Sequence, residues 1–559
     1  MIGSVYIGNK WYQTIKFRDF EDVVKMENKK YLGVMVDCSR NAVLTVSAAK
    51  RLIDALHKMG YNMLMLYTED TYEVDNQPKF GYLRGRYTKE ELKEIVAYGE
   101  QNGVELIPCI QTLAHLNQIF RYPEYKEIND CGDILLVDDE RTYKLIDDMF
   151  STLRQCYKTP WVHIGMDEAH DLGKGKYRDI HGEQNRFDIL KRHLEKVTEI
   201  AQKYGFKPMM WSDMFFRLAT KGKYYINDPD IITPEIAACA PENVGLVYWD
   251  YYHSRGHYDI YDSMVKAHKK FNNPIWFAGG AWTWTGFAPH NKMAVETTAM
   301  AMASCRDNGV DNIFMTCWGD NGGECSVFSV LPTLFYVAEV YRGNENMELI
   351  AKRFEDIFKI GFEDFMKLDY PAAVSEEYRM TPANIDRVLI FNDPFCGIAD
   401  NLVAKYGDVK ELYLNYAEEL RRLENAPEYG YLFKYSAALC ELLAVKTDLG
   451  IRTRKAYEAK DKAALTALLE DYELAERKVD EFYSAYRKAW LHDKKGTGLE
   501  VQAIRFGGLK MRLNDCRIRL EEYINGEIDT IDDLDQKLIY VHGSSCFNWG
   551  KIVTNNNIG

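Results

Sequence analysis

The chain has 559 residues, with 70 Lys and Arg against 84 Asp and Glu for a formal net charge of −14. Charged residues at 28% and apolar residues at 47% describe a globular chain rather than a long disordered one. The acidic balance counts against nucleic acid or an anionic membrane as the main partner, since both require a basic footprint.

Residues 1–30 form a short N-terminal segment in which no basic stretch precedes an apolar core, so no secretory signal is expected. No apolar run approaches the roughly 18 residues of a membrane span. The twelve Cys are scattered without a CxxC pair, the pattern of free thiols in a reducing, cytoplasmic setting. Seven of the ten Trp fall between Trp161 and Trp318, a clustering that composition alone does not explain.

From residue 31 onward, short β-branched or apolar runs alternate with segments of helical period. The runs are Tyr31–Val36, Asn62–Tyr67, Val104–Ile110, Trp161–Gly165, Pro208–Trp211, Gly245–Trp249, Ile275–Gly279 and Asn312–Trp318. Among the helical stretches, Thr88–Gly103 opens with a Thr88/Glu91 capping box, and Asn185–Tyr204 stops at Gly205. Eight strand–helix units predict an α/β protein with a (β/α)8 TIM barrel over 31–341. A doubly wound open sheet also alternates, but no GxGxxG follows the first run. A connecting helical region is expected over 342–407. No Pro follows Pro427, and 408–559 reads as an α-helical C-terminal domain with helices near Asp408–Asn425, Gly430–Leu449, Lys460–His492 and Gly498–Asn525. In the third of these, Leu465, Leu468, Leu469, Tyr472, Ala475 and Val479 make one apolar face.

A barrel places its functional groups where the strands end. Those ends read Asp37-Cys38-Ser39-Arg40, Glu69-Asp70, His115, Asp167-Glu168, Trp211-Ser212-Asp213, Trp249-Asp250, Trp282-Thr283-Trp284 and Trp318-Gly319-Asp320. The sharpest is the run from Trp161 to His170, an apolar strand ending in two adjacent carboxylates flanked by histidines. Two carboxylates held close cannot both ionise cheaply, and one raised pKa suits a general acid. Asp167-Glu168-Ala169-His170 also spells a helicase box, but every Gly-Lys pair in the chain lacks the Ser or Thr of a phosphate loop. Neither HxH after the first strand nor HExxH is present, so no metal and no cofactor are expected.

His163-Ile164-Gly165-Met166-Asp167-Glu168 resembles the HxGxDE signature of glycoside hydrolase family 20, the β-N-acetylhexosaminidases. Asp37-Cys38-Ser39-Arg40 resembles the family's D-x-S-R, Thr68-Glu69-Asp70 its T-D-D, and Trp318-Gly319-Asp320 its Trp-x-Glu. The resemblance covers roughly residues 30–340. With the helical C-terminal region and Asn392-Asp393-Pro394, the chain looks most like the bacterial exo-acting enzymes of the pneumococcal type. The resemblance implies retaining, substrate-assisted hydrolysis of a terminal β-linked GlcNAc or GalNAc from a glycan, an exception to the two-carboxylate nucleophile scheme.

By the same resemblance, Glu168 is the general acid and base, and Asp167 orients the 2-acetamido group. Arg40 clamps the sugar's O3 and O4, while Asp70 and His115 support Glu168. Trp211, Trp249, Trp282 and Trp318 wall the subsite, and Asp320 or Glu324 accepts from O4 or O6. The family's strand-seven Tyr has no counterpart in Ala281-Trp282-Thr283-Trp284, which leaves Tyr251, Tyr252 or a Trp N–H as donor to the acetamide oxygen. The family's Pro-Gly-His is replaced by separated Pro108 and His115. Alternatives are another acetamido-dependent glycosidase, endo-acting or lacto-N-biosidase-like, or a non-catalytic sugar-binding barrel. Expected partners are a glycan with terminal N-acetylhexosamine and a second copy in a homodimer, with neither nucleic acid nor membrane.

Overall fold

Eight parallel strands close on themselves in the computed structural model, which describes residues 3–7, 10–15, 29–254, 256–374 and 385–539. The strands are β1 (Leu32–Asp37), β2 (Met63–Tyr67), β3 (Glu105–Cys109), β4 (Trp161–His163), β5 (Lys207–Trp211), β6 (Gly245–Trp249), β7 (Ile275–Gly280) and β8 (Asn312–Cys317). Closure comes from β8 pairing with β1, Ile313 opposite Leu32 and Cys317 opposite Val36. A helix follows each strand in turn: α1 (Val46–Met59), α2 (Lys89–Gln101), α3 (Glu140–Cys156), α4 (Arg186–Lys203), α5 (Asp213–Ala219), α6 (Tyr258–Lys269), α7 (Asn291–Asn308) and α8 (Leu331–Tyr341). This is the TIM barrel that the alternation predicts.

Strand residues alternate between two apolar layers, as side chains on a pleated strand must. On β2, Met63, Met65 and Tyr67 point into the barrel, where they join Met35, Trp211, Val247 and Phe314. Leu64 and Leu66, between them, pack outward against the helices. Methionine suits the irregular interior because its unbranched thioether adapts to gaps. Tyr31, Trp161 and Trp276 fill the end away from the site, with ring centroids 5.2 and 5.5 Å from Trp276. The local signals act as written. Thr88 and Glu91 form the reciprocal capping box of α2, and Asn185 caps α4. Cys38, Cys109, Cys305 and Cys440 are buried free thiols. No helix among the described residues is long and apolar enough to cross a membrane.

Beyond the barrel lie α9 (Ile385–Phe391), α10 (Lys410–Arg421), α11 (Gly430–Lys446), α12 (Leu449–Glu458), α13 (Lys462–Asp493) and α14 (Leu499–Asn525). The helix α12 is one the sequence reading leaves out, because its polar face hides the periodicity that Leu449, Thr453, Ala456 and Tyr457 bury. The turn joining α13 to α14 docks on the loop after β1: Leu44 bridges Lys494, Thr45 N–H donates to Asp493 C=O at 3.0 Å, and Lys495 N–H to Val43 C=O at 2.8 Å. Asp493 also accepts from Ser326 Oγ at 2.6 Å, in the loop after β8. Phe287, after β7, packs among Phe482, Tyr486 and Phe506, and Asp386 of α9 accepts from its N–H at 2.6 Å. The loops after β1, β7 and β8 therefore rest on the helical region, and Lys495 Nζ also donates to Arg86 C=O in the loop after β2 at 3.1 Å.

Candidate active site

Four non-glycine residues at the ends of β2, β3 and β4 adopt left-handed backbone: Glu69 (φ 43°), His115 (φ 59°), Met166 (φ 71°) and Glu168 (φ 52°). Each such residue costs about 1–2 kcal/mol, so the surrounding structure must hold it there. At Gly165 (φ 72°) the turn needs glycine twice over, since an added Cβ would fall inside the Gln111 carboxamide. The turn also ends β4 two residues sooner than the sequence run suggests. Gln111 pins the turn, accepting from Met166 N–H at 3.1 Å and donating from Nε2 to Asp167 Oδ1 at 2.6 Å and to the Tyr67 hydroxyl at 2.9 Å. His163 lies beneath, its Nδ1 accepting from Gly165 N–H at 3.1 Å and its ring 4.5 Å from that of Trp211. Burial pushes its pKa down to about 3, so it is a neutral acceptor.

The turn sends the two neighbouring carboxylates apart. Asp167 faces the β3 side, 3.2 Å from His115 Nε2 but off the line of a hydrogen bond, and its side chain is only 12% exposed. Burial pulls His115 down, but the Asp167 charge, with Glu69 behind it, lifts its pKa to about 10. Burial likewise penalises the Asp167 carboxylate, and His115 and Gln111 more than offset this, holding it below the usual range. Glu168 faces the other way, 42% exposed, with Oε1 3.4 Å from Arg217 Nη2. Its peptide N–H donates to Asp213 Oδ2 at 3.2 Å, which also accepts from Arg217 Nε at 2.9 Å. Burial, with the Asp167 charge added, holds Asp213 well above the ordinary aspartate range.

Arg40 reaches over the end of β2, its Nη2 3.2 Å from Glu69 Oε1. Burial lifts Glu69 to about 7 against the pull of Arg40 and His115. Asp37 ties the ends of the barrel together, Oδ1 accepting from Ser39 and Oδ2 from Gly319 N–H at 2.9 Å. Asp70 is not beside Glu168. It is buried against Arg84 at 2.9 Å, and Arg84 also donates to Asn41 Oδ1 at 2.6 Å and to Ser39 C=O at 2.5 Å. Asp70 thus braces the loop that carries Arg40, and His115 meets Asp167 rather than Glu168.

A depression of about 200 Å³ gathers Arg40, His115, Asp167, Glu168, Trp211, Trp249, Trp318 and Asp320, with Tyr67, Tyr251, Tyr252 and Trp284 completing its wall. Trp282 is absent from the wall: it is fully buried and stacked behind Trp284 at 4.4 Å, so Trp284 presents the indole. Tyr251 stacks on Trp249 at 5.3 Å, and its hydroxyl accepts from Trp318 Nε1 at 3.1 Å. Glu324 lies outside the depression, buried between Arg387 (2.7 Å) and Arg505 (2.8 Å) of the helical region. Sequence reasoning left Gln111, Arg217, Asp213, Glu69 and Trp284 without roles. The last three were visible at strand ends, whereas Gln111 carries no local signal at all.

The family model described as "Glycosyl hydrolase family 20, catalytic domain" matches residues 30–250, and "Glycoside Hydrolase 20C C-terminal domain" matches residues 363–553. Similar curated proteins include "Beta-hexosaminidase 3" of Arabidopsis thaliana, 25% identical over 36% of this chain, and human "Hexosaminidase D", 24% identical over 37% of it. The chain spans 40% and 42% of their lengths. Among solved structures, the exo β-N-acetylglucosaminidase from Vibrio harveyi aligns at 15% identity and a TM-score of 0.45, over 61% of this chain and 59% of that one. With one family's catalytic profile on the strands that deliver Asp167 and Glu168, and the same family's C-terminal profile on the helices behind them, the chain belongs to glycoside hydrolase family 20.

Proposed function

We propose that the protein is an exo-acting β-N-acetylhexosaminidase that releases terminal β-linked GlcNAc or GalNAc with retention, using the substrate's own 2-acetamido group as nucleophile. The observation that carries this reading is the divergence of the two adjacent carboxylates, Asp167 toward His115 and Glu168 toward Arg217. Glu168, the more exposed, protonates the glycosidic oxygen as the acetamide oxygen closes on the anomeric carbon and the bond to the aglycone breaks. Asp167, kept ionised, accepts the acetamide N–H and balances the positive oxazolinium-like intermediate. Water then opens that ring, giving up its proton to Glu168. Arg40 holds O3 and O4 with its fork of donors, and Asp320 accepts from O4 or O6. Trp249, Trp284 and Trp318 offer indole faces to the pyranose, with the buried Trp211 packed beneath them. Tyr251 accepts from Trp318 Nε1 and so has its own proton to give to the acetamide oxygen. The small volume of the depression supports one sugar and hence exo action, and the names of the curated relatives point to the same substrate class.

The test is hydrolysis of an aryl N-acetyl-β-glucosaminide alongside the matching aryl β-glucoside. Only the first is expected to turn over, and equal rates would remove the acetamide from the mechanism. Glu168→Gln is expected to lower kcat by about 10²–10⁴ for poor leaving groups and much less for activated ones. An undiminished rate would remove its role as acid.

A further inference from the structure

A second depression, of about 450 Å³, lies on the far side of Arg217 from the site. The loop between β4 and α4 gives it His170 and Lys174, α4 gives Arg186 and Phe187, and α5 with the turn after it gives Arg217 and Lys221. Among the described residues, no carboxylate lines it, in a chain with 84 acidic residues and a net charge of −14. Lys174 is answered by Asp171 at 3.0 Å and Arg217 by Asp213 at 2.9 Å and Glu168 at 3.4 Å, all from outside the lining. Arg186 spends its donors on the carbonyl oxygens of Ala169, His170 and Leu172. Among the described residues, neither Arg186 nor Lys221 has a carboxylate partner. The half-buried ring of Phe187 adds a flat apolar surface of the kind sugar rings pack against.

The position of this groove relative to the reacting bond says what occupies it. In a closed eight-stranded barrel, β4 and β5 face β8 and β1 across the mouth. On the proposed function, Arg40 and Asp320 on the β1 and β8 side hold the non-reducing edge of the sugar. The bond being cut then lies over Glu168, and the leaving group runs outward past Arg217.

We infer that this groove is an aglycone subsite selective for a leaving group that carries an anion, a carboxylate or a sulfate ester on the sugar next to the scissile bond. The inference rests on the hexosaminidase reading and adds to it the charge of the natural substrate.

The experiment compares kcat/KM at low ionic strength for N-acetylglucosamine β-linked to glucose, to glucuronate and to glucose 6-sulfate, with the neutral para-nitrophenyl glycoside as a fourth substrate. An anionic aglycone is expected to be favoured by about fivefold, which is what one or two solvent-exposed ion pairs supply. The advantage should shrink as salt screens it. In Lys221→Glu, a change in an exposed turn, the ratio should fall toward or below one, and Lys221→Gln should fall between. A uronate preference alone identifies a carboxylate site and a sulfate preference alone a sulfate site, and either supports the inference. Cleavage of all substrates with equal kcat/KM, or a preference indifferent to Lys221→Glu, overturns it while leaving the hydrolase reading intact. Failure to cleave any of the four overturns that reading and the inference together.

Discussion

Asp167 and His115 each owe their ionisation to the other, so disturbing one should be legible in the other. In Asp167→Asn the larger of the charges that lift His115 is gone, while burial remains with Glu69 against it, so its pKa should drop well below about 10. Titration of the His115 ring by NMR measures this, and a value still above 8 would sink the assignment. Because the folded-state pKa lies above the unfolded one, the stability His115 contributes is complete below about pH 6.5 and is lost as pH rises through about 10. Glu69 works in the same sense at lower pH. Its folded pKa of about 7 exceeds the ordinary carboxylate value, so the folded protein binds more protons between roughly pH 4.5 and 7, and stability falls across that window. Chemical denaturation against pH should show that decline, and Glu69→Gln should flatten it. At this scale the sequence is readable where a motif is contiguous, as in His163 to Glu168. It misleads where a side chain's direction hangs on one dihedral. Glu69 at φ 43° turns to Arg40 while its neighbour Asp70 turns to Arg84, and nothing in Thr68-Glu69-Asp70 announces which will do so.

The β4 turn shows how an element delivers such groups. Its left-handed run at Gly165, Met166 and Glu168 is held by His163, Gln111 and Asp213, each accepting from one backbone N–H, and the Gln111 amide also touches Asp167. Gly165→Ala should therefore cost about 1–3 kcal/mol, from strain and from displacing Gln111, and should depress activity more than a surface change of equal ΔΔG. Thermal unfolding with kinetics on the same preparation tests this; a stable, fully active variant would mean that the turn does not need Gln111. The strands themselves were visible from their runs, and α2 from its capping box, because both are local signals. The early end of β4 and the existence of α12 were not visible, since one depends on Gln111 in the loop after β3 and the other on what packs over it.

At the scale of the molecule, the helical region holds the mouth of the barrel. Glu324 between Arg387 and Arg505 carries this most directly, since a carboxylate only 2% exposed cannot be left half-paired cheaply. Arg505→Ala should lower stability by about 2 kcal/mol, the worth of a charged hydrogen bond. If the clamp also positions the loop that carries Asp320, KM should rise more than kcat falls, and Arg505→Lys should restore part of both. An unchanged melting temperature would show that Arg387 alone suffices. The clamp also sets an order of events during synthesis. All eight strands leave the ribosome before α13 and α14, whose turn seats the loops after β1 and β8. Domains commonly fold as they emerge, N-terminal first. A nascent chain can thus hold a closed barrel with Asp167 and Glu168 already made and still lack an ordered mouth until residues near Arg505 have been added. Ribosome-bound chains arrested before and after that point should differ sharply in turnover though not in barrel content, so the last-made helices act as the timer of activity.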